Sequence, residues 1–130
     1  MRLLLDTHVL LWWLRADRRV TPRLRELMAS RENDIAVSAA TFWEIAIKKG
    51  LGRIDAELSE LREAAIAERF EEIPVRIAHT IHLETFPLHH RDPFDRLLIA
   101  QSIAEGRRLV TRDPLILGYD GLAGFAPLTV

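Results

Sequence analysis

The sequence predicts an α/β sandwich built around a central parallel sheet. Apolar runs at 3–5, 35–37 and 109–110 are too short for helices, and each ends at a polar residue: Asp6, Ser38 and Thr111. Such runs read as fully buried strands. Between them lie longer segments with helix start and stop signals, so strands alternate with helices along the chain. No repeat, low-complexity tract or linker interrupts the 130 residues, so one domain spanning 1–130 is expected.

The first strand ends at Asp6, and a helix follows to about Arg15. Thr21 and Pro22 open a second helix, with threonine as N-cap and proline at the first helical position. After the strand at 35–37, Ser38 caps a helix running from Ala39 to about Lys49, which Gly50 stops. Asp55 is expected to cap the next helix, reaching about Phe70. Residues 71–75 form a plausible short strand, and a helix carrying Ile77, Ile81 and Leu83 follows. Asp92-Pro93 starts a long helix that closes at Gly106. The strand at 109–110 ends at Thr111, and Asp113-Pro114 begins a helical turn. Residues 125–130 form a last strand, placed at an edge because Pro127 cannot donate to a ladder.

Composition sets bounds on function. Hydrophobic residues make up 48% and charged residues 28%, which is ordinary for a globular protein with a proper core. Cysteine is absent, so disulfides and thiolate metal sites are excluded, and a reducing compartment such as the cytoplasm is compatible. The net charge of −1 lacks the basic signature of many nucleic-acid binders. Lys48 and Lys49 are the only lysines, so nearly all positive charge is arginine, whose planar fork suits phosphate and carboxylate. Asp6 and His8 break the apolar start, and no small-residue cleavage site follows, so a signal peptide is not expected. No apolar stretch approaches the ~18 residues of a membrane span.

The acids carry the chemistry. Asp6 stands at the carboxyl end of the first strand, and Asp113 lies just past the strand that ends at Thr111. Glu44 sits in the helix that Ser38 opens, and Asp95 in the first turn after Asp92. Ligands of open parallel sheets bind outside the carboxyl ends of strands, so these acids can converge. Two carboxylates ~4 Å apart repel by roughly 4 kcal/mol at an effective dielectric near 20, which calls for raised pKa values or a cation. Hard oxygen ligands without cysteine favour Mg²⁺ or Mn²⁺, and such ions suit phosphodiester hydrolysis. Each acid also has a structural reading: Asp92 and Asp113 as caps, Asp95 completing a capping box, Glu44 as a solvated helix residue. Asp6, between Leu5 and Thr7, is the hardest to read that way.

Four segments carry a family resemblance: Leu-Leu-Leu-Asp-Thr-His (3–8), Trp-Glu-Ile-Ala-Ile-Lys (43–48), His-Arg-Asp-Pro-Phe-Asp-Arg-Leu-Leu-Ile-Ala-Gln (90–101) and Leu-Val-Thr-Arg-Asp (109–113). In this order they resemble PIN-domain proteins, especially VapC-like ribonuclease toxins of type II toxin–antitoxin systems. The resemblance implies a three-layer α/β/α sandwich and an acidic quartet of Asp6, Glu44, Asp95 and Asp113. Asp6 and Asp95 match the principal metal ligands. Glu44 and Asp113 match the acids that complete the site, through water or a second ion. Thr7, Ser38 and Thr111 would be hydroxyls orienting carboxylates or water. Many relatives carry asparagine where His8 stands. The resemblance further implies Mg²⁺ or Mn²⁺, an RNA substrate, a small antitoxin partner and a homodimer.

Other residues complete the expectations. Arg96 and Arg112 adjoin two of the acids and either reach a phosphate or damp carboxylate repulsion. His79 and His82, three apart on one helix, form a conceivable metal pair, whereas His89 and His90 in the loop before Asp92 read as structural. Trp12 and Trp13 point about 100° apart on a helix, so one covers the core edge or anchors a partner. Rival functions are an aspartate-nucleophile phosphatase, a PIN-fold nuclease outside any toxin–antitoxin pair, and a non-catalytic interaction module. The phosphatase needs a second aspartate two residues after the first, where His8 stands, and the complete quartet argues against a module that has lost cleavage.

Overall fold

The computed structural model describes residues 1–88 and 90–130; the expectation for His89 lies outside the described residues. The chain runs β1 (Arg2–Leu5), α1 (Thr7–Leu14), α2 (Pro22–Ala29), β2 (Asp34–Ser38), α3 (Ala39–Gly50), α4 (Leu58–Ala67), β3 (Glu71–Ile73), α5 (Ile77–Ile81), α6 (Pro93–Ala104), β4 (Arg108–Thr111), α7 (Pro114–Leu117) and β5 (Leu128–Thr129). The five strands form one sheet in the order β3-β2-β1-β4-β5, and every pairing is parallel.

Alternating side chains of the strands build two cores. Leu3 and Leu5 of β1 face Val9 and Leu10 of α1, Leu24 of α2 and Ala65 of α4. Leu4, between them, faces Leu98, Ile99 and Ala100 of α6 and Ile116 of α7. With period-two alternation and helices on both faces, the strands have no solvent side, which explains their uninterrupted apolar runs. Ile45 of α3 joins Leu11 and Leu61 in a smaller cluster.

The order of connection positions the site. From β1 the chain winds to β2 and β3 on one side, then returns to place β4 on the other side of β1. The switch point therefore lies between the carboxyl ends of β1 and β4, where Asp6 and Asp113 follow their strands.

Several local expectations meet a different outcome. Asp55 does not cap α4: the helix begins later, at Leu58, and the Asp55 carbonyl accepts a 2.5 Å hydrogen bond from Arg15. The helix expected across 77–83 is a short α5 followed by a 3₁₀ turn, His82–Thr85. His79 is no metal partner for His82. Its Nδ1 accepts from the Arg76 amide and its Nε2 lies 2.8 Å from Glu105, so both ring nitrogens are engaged. The last strand is shorter than expected, but it does lie at the edge, paired to β4.

Arg107 was not singled out by sequence, yet it is buried where the strands begin. Its guanidinium donates to the carbonyls of Leu3 and Asp34, at 3.3 and 3.1 Å, and pairs with the carboxylates of Asp34 and Glu71. One side chain thus ties the amino ends of β1, β2 and β3.

Candidate active site

The first acid is placed by a helix cap. Asp6 Oδ1 accepts the Val9 amide at 2.7 Å, which starts α1 directly at the end of β1. Its Oδ2 accepts the Thr111 hydroxyl at 2.5 Å. The same Thr111 oxygen accepts the Asp113 amide at 3.1 Å, so one hydroxyl fixes two acids. Asp6 is only 3% exposed. Burial raises its pKa above the ordinary aspartate value. The Thr111 and Val9 hydrogen bonds and the His8 charge pull the other way, and Asp113 adds to the rise.

Glu44 is 2% exposed. Its Oε1 accepts the Thr7 hydroxyl at 2.7 Å, and that hydroxyl stands 3.2 Å from Thr41 Oγ1. Its Oε2 pairs with Lys48 at 2.6 Å, one helical turn along α3. This pair escaped the sequence reading, although the i, i+4 spacing signals it.

Asp95 lies in the first turn of α6, which Asp92 caps through the amides of Phe94 and Asp95. The cap expected of Asp92 is therefore present. Desolvation, with repulsion from Asp92 and Glu44, raises the Asp95 carboxyl to about 6, against a hydrogen bond from His90 that lowers it. His90 Nε2 lies 2.6 Å from Asp95 Oδ2. Ligand atoms of His90, Asp95 and Asp113 all lie within 4.8 Å of one another. Asp113 meanwhile caps α7 through the Leu115 amide.

The acids thus form a linked set: Asp6 with Asp113 through Thr111, Asp113 with Asp95 by proximity, and Asp95 with Glu44 through their electrostatic repulsion. Thr7 and Thr111 each hold an acid. Ser38 does not; its hydroxyl accepts the Ala40 amide and donates to Gln101 Oε1 at 2.5 Å. Arg96 turns away from the acids and donates to the carbonyls of Pro87 and His90 and to the Tyr119 hydroxyl. Arg112 lies over the Trp12 ring, 4.3 Å from its centroid, and donates to the Arg19 carbonyl. His90 is the member of the cluster that sequence reasoning read as structural, and no spacing rule links it to Asp95 five residues later.

These donors fit a divalent cation. Two buried carboxylates, Asp6 and Glu44, stand with the half-buried Asp95 and Asp113; burial and mutual repulsion raise Asp6 and Asp95 towards their protonated forms, and a cation offsets both effects.

Comparison with known proteins identifies the family and similar folds. The model of the PIN domain family matches residues 3–121. The chain is 33% identical over 115 residues to Ribonuclease VapC22 of Mycobacterium tuberculosis, covering 85% of each chain. Its fold is similar to that of a chain in VapBC2 from Rickettsia felis bound to a promoter DNA fragment, with a TM-score of 0.68 at 19% identity over 99% of this chain and 98% of that one. It is also similar to a chain of the M. tuberculosis VapBC-5 complex, with a TM-score of 0.62 at 18% identity and the same coverage.

Proposed function

The chain belongs to the PIN domain family, and from that premise we propose that it is a cation-dependent endoribonuclease, the toxin of a toxin–antitoxin pair. Residues 1–130 act as one PIN domain. The observation that carries the reading is the meeting of Asp95, Asp113 and His90 within 4.8 Å, beside buried Asp6 and Glu44. Its 33% identity to a ribonuclease supports RNA as substrate.

Asp6 and Asp95, completed by Glu44 and Asp113, would hold Mg²⁺ or Mn²⁺. When bound, such a cation supplies Lewis-acid polarisation of a phosphodiester and acidifies water. The chain's own residues supply order. Thr111 and the Val9 amide hold both oxygens of Asp6, so its carboxylate plane is set before any ligand arrives. Thr7 and Lys48 do the same for Glu44, and Lys48 balances its charge.

The partner half of the proposal draws on the similar structures, which are VapBC complexes, and on an exposed apolar stripe. Trp43 and Ile47 of α3 and Leu51 at its C-cap recur every four residues with 61%, 40% and 62% exposure. An antitoxin segment or a second copy of the chain would cover it. No helix among the described residues is long and apolar enough to cross a membrane, and a cytoplasmic location goes with the absence of cysteine.

The test is RNA cleavage with Mg²⁺, with Mn²⁺ and with EDTA. Cleavage should require the cation. Asp6→Asn and Asp95→Asn should each lower it by at least about 100-fold with the fold intact. Asp92→Asn should retain it, because asparagine caps a helix about as well as aspartate. Full activity in both purified Asp6 and Asp95 variants would overturn the reading.

A further inference from the structure

His90 is presented to the acids by a clamp. Tyr119, 1% exposed, has its hydroxyl at the centre. The hydroxyl donates to the Pro87 carbonyl at 2.7 Å and accepts the His90 amide at 2.9 Å and Arg96 Nη1 at 3.1 Å. Arg96 Nη1 also donates to the carbonyls of Pro87, at 2.9 Å, and His90, at 3.3 Å. Its guanidinium carbon stands 5.9 Å from the centroid of the buried Phe86 ring. The backbone of His90 is therefore held on both its donor and its acceptor side. Those bonds come from two elements: α6, which also carries Asp95, and the segment that follows α7.

A clamp of this kind lowers the entropy cost of holding one side chain in one place. What it holds is the His90 imidazole, whose Nε2 lies 2.6 Å from Asp95 Oδ2; a ring nitrogen, an Asp95 oxygen and an Asp113 oxygen all lie within 4.8 Å of one another. Two ligands of one small divalent ion, each about 2.1 Å from it, stand up to about 4.2 Å apart. In the tautomer that carries its proton on Nδ1, Nε2 has a free lone pair, and opening the Nε2–Asp95 contact with shifts of about half an ångström brings all three donors onto one ion.

We propose that His90 is a nitrogen ligand of the cation site, delivered by the Arg96–Tyr119 clamp, and that it biases the site towards Mn²⁺ over Mg²⁺. The inference rests on the cation-dependent reading above and extends it to a residue outside the acidic quartet. Mg²⁺ takes almost exclusively oxygen ligands, whereas an imidazole nitrogen suits later divalent ions, whose affinity rises along the first transition row. Arg96 and Tyr119 are positioning residues, since they act only through His90.

The test is cation binding by the whole chain, without RNA. Mn²⁺ is titrated by electron paramagnetic resonance, and Mg²⁺ by competition. Pulsed spectra of the Mn²⁺ complex should contain ¹⁴N coupling from an imidazole. His90→Ala should remove that coupling, which separates His90 from the exposed His8 near Asp6. The same change should weaken Mn²⁺ binding at least about 10-fold while Mg²⁺ changes by less than about threefold. Tyr119→Phe and Arg96→Met should reduce the coupling with His90 still present. If the alanine variant does not fold, His8→Ala decides: the coupling should persist in it, and its loss there would overturn the assignment to His90. Mn²⁺ binding without ¹⁴N coupling, or Mn²⁺ and Mg²⁺ affinities that fall together, would overturn His90's role and leave the acidic site standing. No binding of either ion would overturn both.

Discussion

Asp95 bears the electrostatic load of the cluster. Its carboxyl stands at about 6 in the folded chain, whereas an unfolded aspartate titrates near ~3.9. Between those pH values the native state keeps a proton that the unfolded state has lost. The contribution of this group is therefore fully present below about pH 4 and is lost as pH rises through about 6. In EDTA, this group alone should cost the protein on the order of 2 kcal/mol between pH 4 and 7. Urea unfolding across that range checks it, and Asp95→Asn should lack that part of the loss. Parallel curves for the two proteins would mean that the strain sits elsewhere. Asp6 is raised by burial as well, although the Val9 amide and the Thr111 hydroxyl support its charged form.

Elements meet in this fold through a few side chains at strand ends. Thr111 works at the carboxyl ends of β1 and β4, and Arg107 at the amino ends of β1, β2 and β3. Removing Arg107 takes a side-chain donor from the buried Leu3 carbonyl and from the half-buried Asp34 carbonyl. Its acidic partners Asp34 and Glu71 are about half exposed and can return to water, which limits the loss. Arg107→Met should therefore destabilise the protein by about 2–3 kcal/mol. It should leave cation affinity nearly unchanged, since the site lies at the opposite ends of the strands. Thermal and urea unfolding measure the first effect and Mn²⁺ titration the second. A cation site lost along with stability would mean that the two ends of the sheet are coupled.

Seen whole, the molecule exposes the apolar side chains of Trp43, Ile47 and Leu51 along and just past α3. Trp43 packs edge-on against Phe94, with ring centroids 5.0 Å apart, and so adjoins the start of α6 where Asp95 sits. Trp12, by contrast, lies against the guanidinium groups of Arg112 and Arg19, and both Trp12 and Trp13 pack partly against the core. Trp43, Ile47 and Leu51 are thus the stronger candidates for a partner contact. Trp43→Ala should weaken antitoxin or self-association by at least ~2 kcal/mol while its melting temperature stays near that of the unaltered chain. Sedimentation and binding to a cognate antitoxin would measure this. Association unchanged by Trp43→Ala would place the interface elsewhere.

The sequence by itself determined what contiguous residues control. Short apolar runs ending in polar residues marked strands buried on both faces, because period-two alternation disappears when helices cover both sides. Thr21-Pro22, Asp92-Pro93 and Asp113-Pro114 marked helix starts, because a cap and a fixed φ act within a few residues. The family motifs singled out the four acids. Tertiary structure alone decided what joins residues far apart in the chain. The Thr111–Asp6 bond spans 105 positions and the Ser38–Gln101 bond spans 63. It also decided the orientation of Arg96 towards the loop and of His90 towards Asp95, and the burial of Arg107. No local pattern encodes such contacts: they depend on which strand ends the sheet order brings together, and on where a side chain finds its partner once water is excluded.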